Sequence, residues 1–588
     1  MRALVLALAV YAPGLFAADL QTIQREAEVL AREAQVAVTQ GRKLPPDLYP
    51  TINAARALGT FHSQSVLAEL LERLRGYTQE LTINPDLVGT SILRATPADL
   101  QVGSEAEFRL IYRVGTNLGP GAAVLAARHY SWPAPLQNVD ATRANYVSAT
   151  VRGRSDVTLR PLTVTRGGVH GGLFAPEPLP AFVIAEGQLR GGDEIVLRYQ
   201  RVQTLMLSFN RFVLPLYLRM NPGAHWLLVP GTSLPLRSGA VTSLQAALPV
   251  IARTGETVSV QLRLADSFGN LASGTFPPFE VLVDGQFRTR VPAGSDPAPA
   301  FDLTFESSGL RLVEVRSAGG GLRTAVKVNV EPSPAFTVRW VELRAPGEAS
   351  GSLLDTDEVR GRFIGVVDEV VLVNDDAHLD ATSWQSRVNL NFDGFLRTAD
   401  LLAGGHMLVL APQRLNMSTP PREAWPTLGA LMRSEDLLPT LRVALPGVPA
   451  DPRFMSSGAV TLAEIQSGRG NFEWYGNLLA ARGIRLGFTG SAVSHHAPLG
   501  RAVHNGRTAV MLKPGERLFD ALRARRTYVT TGPRLLLDVS VNEGQPGERV
   551  PASELRQVKG RVIGTAGIDR IELLRNGAVI ATRDLARS

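Results

Sequence analysis

The chain has 588 residues, 45% hydrophobic and 20% charged, with a net charge of +7 and no cysteine. That length exceeds one hydrophobic core and predicts roughly three to five domains. The missing cysteines exclude disulfides, thiolate metal sites and a cysteine nucleophile. The positive balance allows contact with an anionic surface, but Lys and Arg are scattered and no basic stripe interleaves with aromatics. Nucleic acid is therefore not an expected partner.

In chain order, residues 1–18 read as a secretory signal. Arg2 precedes the apolar run LVLALAV, and Ala17 and Ala18 are small enough for cleavage. The run falls short of the ~20 apolar residues of a membrane span, Pro13 interrupts it, and no later segment is apolar for long enough. The expectation is an exported protein, periplasmic or extracellular in a bacterium, without a transmembrane span.

Residues 19–82 predict a helical hairpin. Leu20, Ile23, Ala27, Leu30, Ala34 and Ala37 share one helix face, and Val66, Leu67, Leu70, Leu71 and Leu74 share another, with Pro45 and Pro46 between them. Residues 83–230 turn to short alternating runs, such as 108–114 and 194–199, which predict a β-domain. A second β-domain, of immunoglobulin-like type, is expected over 231–333. Its turn at Asp266–Asn270 offers one carboxylate, too few for calcium.

After the linker at 331–334, strand-like and helix-like stretches alternate through 334–534, the pattern of a parallel sheet or barrel. Residues 369–373 and 485–488 read as buried strands, and 425–433 and 518–526 as helices. Residues 535–588 return to β, with a hairpin signal at Asn576-Gly577.

Chemistry is concentrated late in the chain. Residues 487–500 read GFTGSAVSHHAPLG, and 518–542 read LFDALRARRTYVTTGPRLLLDVSVN. With Val341–Pro346, Asn374-Asp375-Asp376, 394–397, Gly404-Gly405-His406 and 467–473 upstream, these segments resemble the secreted bacterial family called domain of unknown function 3604. The family places β-domains ahead of a distorted (βα)7 barrel related to the polymerase-and-histidinol-phosphatase (PHP) superfamily. The resemblance implies metal ligands at the carboxyl ends of the strands and metal-dependent hydrolysis, in which the ion lowers the pKa of bound water. The fold class expected is thus multidomain α+β: a helical hairpin, two β-sandwich-like domains, a distorted (βα) barrel and a C-terminal β segment.

This chain departs from the family at the ligands. The opening motif Gly-Asp-x-His-x-His aligns with 341–346, where Arg344 and Pro346 replace both histidines. Leu396 stands at a carboxylate position, and Val493 replaces the aspartate of the closing Ser-Asp-Ser-His. Asp375, Asp376, His406 and His495 remain as residual metal candidates. Three of them would suffice for one zinc, manganese or iron ion.

Loss of even a supporting partner costs ~10–100-fold in metal affinity or activity, and Arg344 adds a cation where the metal should sit. The reading is a non-catalytic relative acting as a binding or structural module for an unknown ligand, with no catalytic residue and no cofactor. The alternatives are a phosphoesterase-like hydrolase with a reduced site holding one divalent metal, and a β-domain adhesion module. No Gly-x-Ser-x-Gly elbow supports a serine hydrolase.

Overall fold

The computed structural model describes residues 13–39, 48, 52, 55, 64–128, 132, 134–166, 177–346, 361–373, 389–391, 396–398, 406–410, 438–442, 461–467, 470–491, 506–553 and 555–585. The first 12 residues of the expected signal lie outside this set, and residues 13–18 belong to the first helix, Pro13–Thr39. That helix packs on Gln64–Thr82 through Ile23, Ala27, Leu30 and Ala34 against Leu70, Leu74 and Leu81, with Leu48, Ile52 and Ala55 in the same core. The alanines let the two backbones approach, and Arg75 pairs with Glu26 at 3.1 Å on the rim. No helix among the described residues is long and apolar enough to cross a membrane.

The next unit is a two-layer β-sandwich. One sheet orders Thr90–Thr96, Glu105–Arg113, Glu194–Gln203 and Tyr146–Val151; the other orders Leu227–Leu228, Leu216–Arg219, Ala123–Ala126, Glu177–Glu186 and Thr158–Arg166. Strict alternation explains the layers: Ala106, Phe108, Leu110 and Tyr112 point inward while the residues between them are more exposed. The rings of Phe108, Trp132 and Phe212 meet with centroids 5.5 to 6.1 Å apart at the centre. Tyr112 donates its hydroxyl to the Val88 carbonyl at 2.7 Å, and burial pushes its phenol above the ordinary range.

The second sandwich is immunoglobulin-like. Ser243–Ala247, Thr257–Ala265 and Ala300–Thr304 form one sheet; Ile251–Arg253, Arg323–Glu331, Gly309–Ser317, Phe279–Val283 and Gln286–Val291 form the other. The chain leaves the first sheet after Ala247, passes Pro249, and joins the second at Ile251 by a parallel pair with Asn329–Glu331. Proline cannot donate to a ladder, so a crossing between sheets suits it.

The Asp266–Asn270 turn ties the two sandwiches together. The Asp266 carboxylate accepts the backbone N–H groups of Phe268, Asn270 and Gly239 and the Asn270 amide, at 2.9–3.0 Å. Asn270 also donates to the Met206 carbonyl at 2.8 Å and accepts the Ser208 N–H. Gly103, at φ 68°, leaves the space that the Phe268 ring fills. Arg263, 1% exposed, donates to the carbonyls of Gly361, Ile364 and Gly269 and so binds the second sandwich to the C-terminal half.

The C-terminal half corrects the expectation of a (βα) barrel. Its described strands divide into two mixed sheets and two terminal antiparallel pairs, and no closed barrel forms among the described residues; over the whole chain strand makes up 46% and helix 14%. In the first sheet Asn389–Asn391, Glu369–Val373 and Thr337–Pro346 run parallel, but Arg507–Leu512 and Thr527–Thr530 join antiparallel. The second orders Leu396–Thr398, His406–Leu410, Leu438–Arg442 and Leu462–Ser467, with Gly487–Gly490 parallel on the last.

A (βα) barrel requires parallel strands throughout, each with a crossover helix. Here Glu473–Ala481 and Leu518–Arg523 are the helices described between strands after residue 461. The second stops short of the expected 526 because Arg525 takes φ 62°. The expected helix at 425–433 lies outside the described residues.

The core of the first sandwich runs on into this half through Trp340, Phe363, Ile364, Met511 and Tyr528. Two antiparallel pairs end the chain, Leu536–Val541 with Val558–Ile563 and Arg570–Arg575 with Ala578–Asp584. Asn576 and Gly577, at φ 53° and 79°, turn the last one.

Candidate functional site

The two C-terminal sheets converge where the motifs fall. Thr337–Pro346 and Glu369–Val373 end side by side, with Ala345 beside Leu372 and Pro346 beside Val373. Positions 344 and 346 thus lie at the end of one strand, and Asp375 and Asp376 follow its neighbour by two and three residues in sequence. Asp375, Asp376 and His495 lie outside the described residues. His406 opens a strand of the other sheet and pairs with Arg442.

Glycines bring the sheets together. Gly490 closes its strand against Thr508 of the first sheet, whose hydroxyl accepts the Gly490 N–H at 2.9 Å and donates to the Gly490 carbonyl at 2.8 Å. A side chain at Gly490 would meet the Arg507 nitrogen and Val529 at 2.8 Å. The next residue, Ser491, donates its N–H to the Gln466 carbonyl at 2.9 Å. Its hydroxyl donates to the Glu342 carboxylate at 3.0 Å, across 149 residues of chain.

Both side chains are buried, Glu342 at 1% exposure and Ser491 at 4%. Glu464, Gln466, Thr489 and Thr508 add further buried polar groups on the adjoining strands. A buried carboxylate needs hydrogen-bond donors, and Ser491 supplies one.

Glu342 is a buried carboxylate that sequence reasoning passed over. In the alignment that the resemblance implies, it falls at the aspartate position of Gly-Asp-x-His-x-His, where a carboxylate would be kept while both imidazoles are lost. The signal was present in Val341–Pro346, overshadowed by the loss of the histidines. By residue type Arg344 brings a cation and Pro346 no side-chain donor, and the Glu342 carboxylate accepts the Ser491 hydroxyl. Among the described residues no three His, Asp or Glu side chains group as metal ligands.

A hydrogen bond to a buried charged group contributes about 1.5–3 kcal/mol. Ser491→Ala is therefore expected to lower stability by about that amount, read as a lower urea midpoint at unchanged slope. A midpoint equal to that of the parent would show that the contact contributes nothing.

Comparisons with known proteins add little to this geometry. No protein-family profile matches the chain. An uncharacterised protein of Chlamydia pneumoniae is 36% identical over 73 residues, which span 11% of this chain and 12% of that relative's length. Among solved structures, InvD of Yersinia pseudotuberculosis aligns over 42% of this chain and 62% of its own, at 14% identity and a TM-score of 0.17. A CARDB domain from Pyrococcus furiosus aligns over 16% of this chain and 99% of its own, at 10% identity and a TM-score of 0.13. Likeness of this size assigns the chain neither a fold nor a function.

Proposed function

We propose that the chain is an exported, non-catalytic, β-rich binding module whose C-terminal half is related to the domain of unknown function 3604 family. The observation that carries this reading is the strand end at 344–346. Arginine and proline stand where the resemblance puts two histidine ligands, beside a Glu342 carboxylate engaged by Ser491. A hydrolase of that class needs a metal with an open coordination position to make hydroxide near neutral pH. The two sandwiches supply the extended surface that a binding role requires, and the apolar run LVLALAV at 4–10 supports export.

Elemental analysis of the full chain after dialysis is the test. The expected result is well below one zinc, manganese or iron per chain, with no phosphoesterase turnover when any of these is added. A stoichiometric metal, lost together with turnover in His406→Ala or His495→Ala, would replace this reading with that of a hydrolase with a reduced site.

A further inference from the structure

The outer face of the first sandwich carries a row of arginines. Arg94 stands opposite Arg109 in the antiparallel pair of Thr90–Thr96 with Glu105–Arg113. Arg109 in turn stands opposite Arg198 of Glu194–Gln203, and Ser148 of Tyr146–Val151 completes the row. Their strand neighbours Leu93, Phe108, Leu110, Leu197 and Tyr199 are buried. Alternation therefore turns all three arginines outward, and all three are exposed. Ala123–Ala126 of the other sheet is buried on both faces, whereas this sheet is covered on one.

Like charges directly opposite one another weaken a sheet. No carboxylate stands in the row, and among the described residues none of the three arginines makes an ion pair. Glu107 lies one row away, opposite Thr96, and Glu194 is engaged by Arg152 at 2.9 Å. On the other side Ile92, Ile111 and Val196 form a parallel apolar row, with Ile92 46% exposed. The face thus repeats a cation from strand to strand, at the ~4.7–4.9 Å spacing of neighbouring strands, beside an apolar strip.

We propose that this face binds a linear acidic polysaccharide lying across the strands. Carboxylates of successive sugars meet Arg94, Arg109 and Arg198, and the C–H faces of the rings lie on the Ile92–Ile111–Val196 row. Guanidinium forks match carboxylates in geometry. An acidic sugar chain offers one carboxylate per ring, close to the strand spacing. An extended peptide presents same-side carboxylates only at every second residue, about 6.4–6.8 Å apart. The two rows contain no aromatic side chain, so single-stranded nucleic acid finds no platform on which to stack its bases. The inference names a partner for the binding module proposed above and rests on that reading. Metal content tests the C-terminal half and the titration below tests the first sandwich, so either can fail alone.

The test is calorimetric titration of the full chain with oligogalacturonate at fixed low ionic strength, with dextran, polyglutamate and poly-dT as comparison polymers. Saturable binding of oligogalacturonate is expected, weaker at higher salt because the charges are exposed. Dextran should not bind. Arg109→Gln and Arg198→Gln should each weaken binding by about tenfold or more, the loss of one charge-assisted contact. Neither should lower the urea midpoint, and Arg109→Gln should raise it, because two like-charge contacts go with the central arginine. Arg316→Gln, on the exposed surface of the second sandwich, should bind as the parent does.

Oligogalacturonate binding no tighter than dextran would overturn the proposal, as would unchanged affinity in both row variants. An equal loss in Arg316→Gln would mean that net charge, not this face, holds the polymer. Polyglutamate or poly-dT bound as tightly as oligogalacturonate would replace the polysaccharide with another class of polyanion.

Discussion

Arg263→Met should lower the stability of the chain by about 3–5 kcal/mol, the range seen when one partner of a buried charged network is removed. Arg263 lies within the second sandwich yet gives its donors to Gly361 and Ile364 of the C-terminal half and to Gly269 of its own turn, at 2.7–2.9 Å. Methionine keeps much of the volume, so the loss is chiefly the hydrogen bonds to two buried carbonyls, of Ile364 and Gly269, and to the part-buried Gly361 carbonyl, a buried unsatisfied group costing about 1–3 kcal/mol. Burial pulls the guanidinium down to about 10, still far above neutral pH, so the group is charged under the conditions of the test.

Arg316→Met is the matched control. Arg316 pairs with Glu280 at 3.1 Å on the surface, with 54% of its side chain exposed. Exposed pairs of that kind contribute about 0.2–1 kcal/mol. If urea midpoints for the two variants coincide, Arg263 does not join the units. If hydrogen exchange in Arg263→Met instead rises at both 261–270 and 361–367, the joint has opened from both sides.

The sequence carried some of this architecture plainly. The helix pair announced itself because Ile23, Ala27, Leu30 and Ala34 repeat at helical spacing, and that stripe is the buried face. The inward strands of both sandwiches were equally legible, because a strand with one buried face alternates, and a slip of one residue would expose the whole apolar set. Asn576-Gly577 marked its hairpin because two consecutive positive φ angles suit those residues.

Partner choice was not legible. Residues 369–373 do run parallel to 337–346, as a continuous apolar strand suggests, but the equally apolar 507–512 lies against the other edge of 337–346 in the opposite direction. Period alone cannot tell those two cases apart, and that is why a barrel was expected where mixed sheets form. The Ser491–Glu342 contact was illegible for a similar reason. Ser491 and Glu342 are 149 residues apart. Only tertiary packing brings them together.

Packing at that point depends on Gly506. A β-carbon there would overlap the Gln466 carbonyl, coming within 2.7 Å of its carbon and 2.9 Å of the Gly490 Cα. All of these are backbone atoms, so no side chain can rotate away and the two sheets must separate. Gly506→Ala is therefore expected to cost about 3 kcal/mol or more, at the upper end of overpacking penalties. Gly319, in an exposed turn with nothing within 4 Å of a β-carbon, should accept alanine within about 0.5 kcal/mol. The loss should also be local. The Gly490 amide held by Thr508 and the Ser491 amide held by Gln466 should exchange faster, because the bonds that cross or border the seam go first. Equal midpoints for Gly506→Ala and Gly319→Ala would mean that the sheets do not meet at this seam. The Ser491–Glu342 contact would then lose its structural basis, because the same glycine approach holds those two side chains within reach of each other.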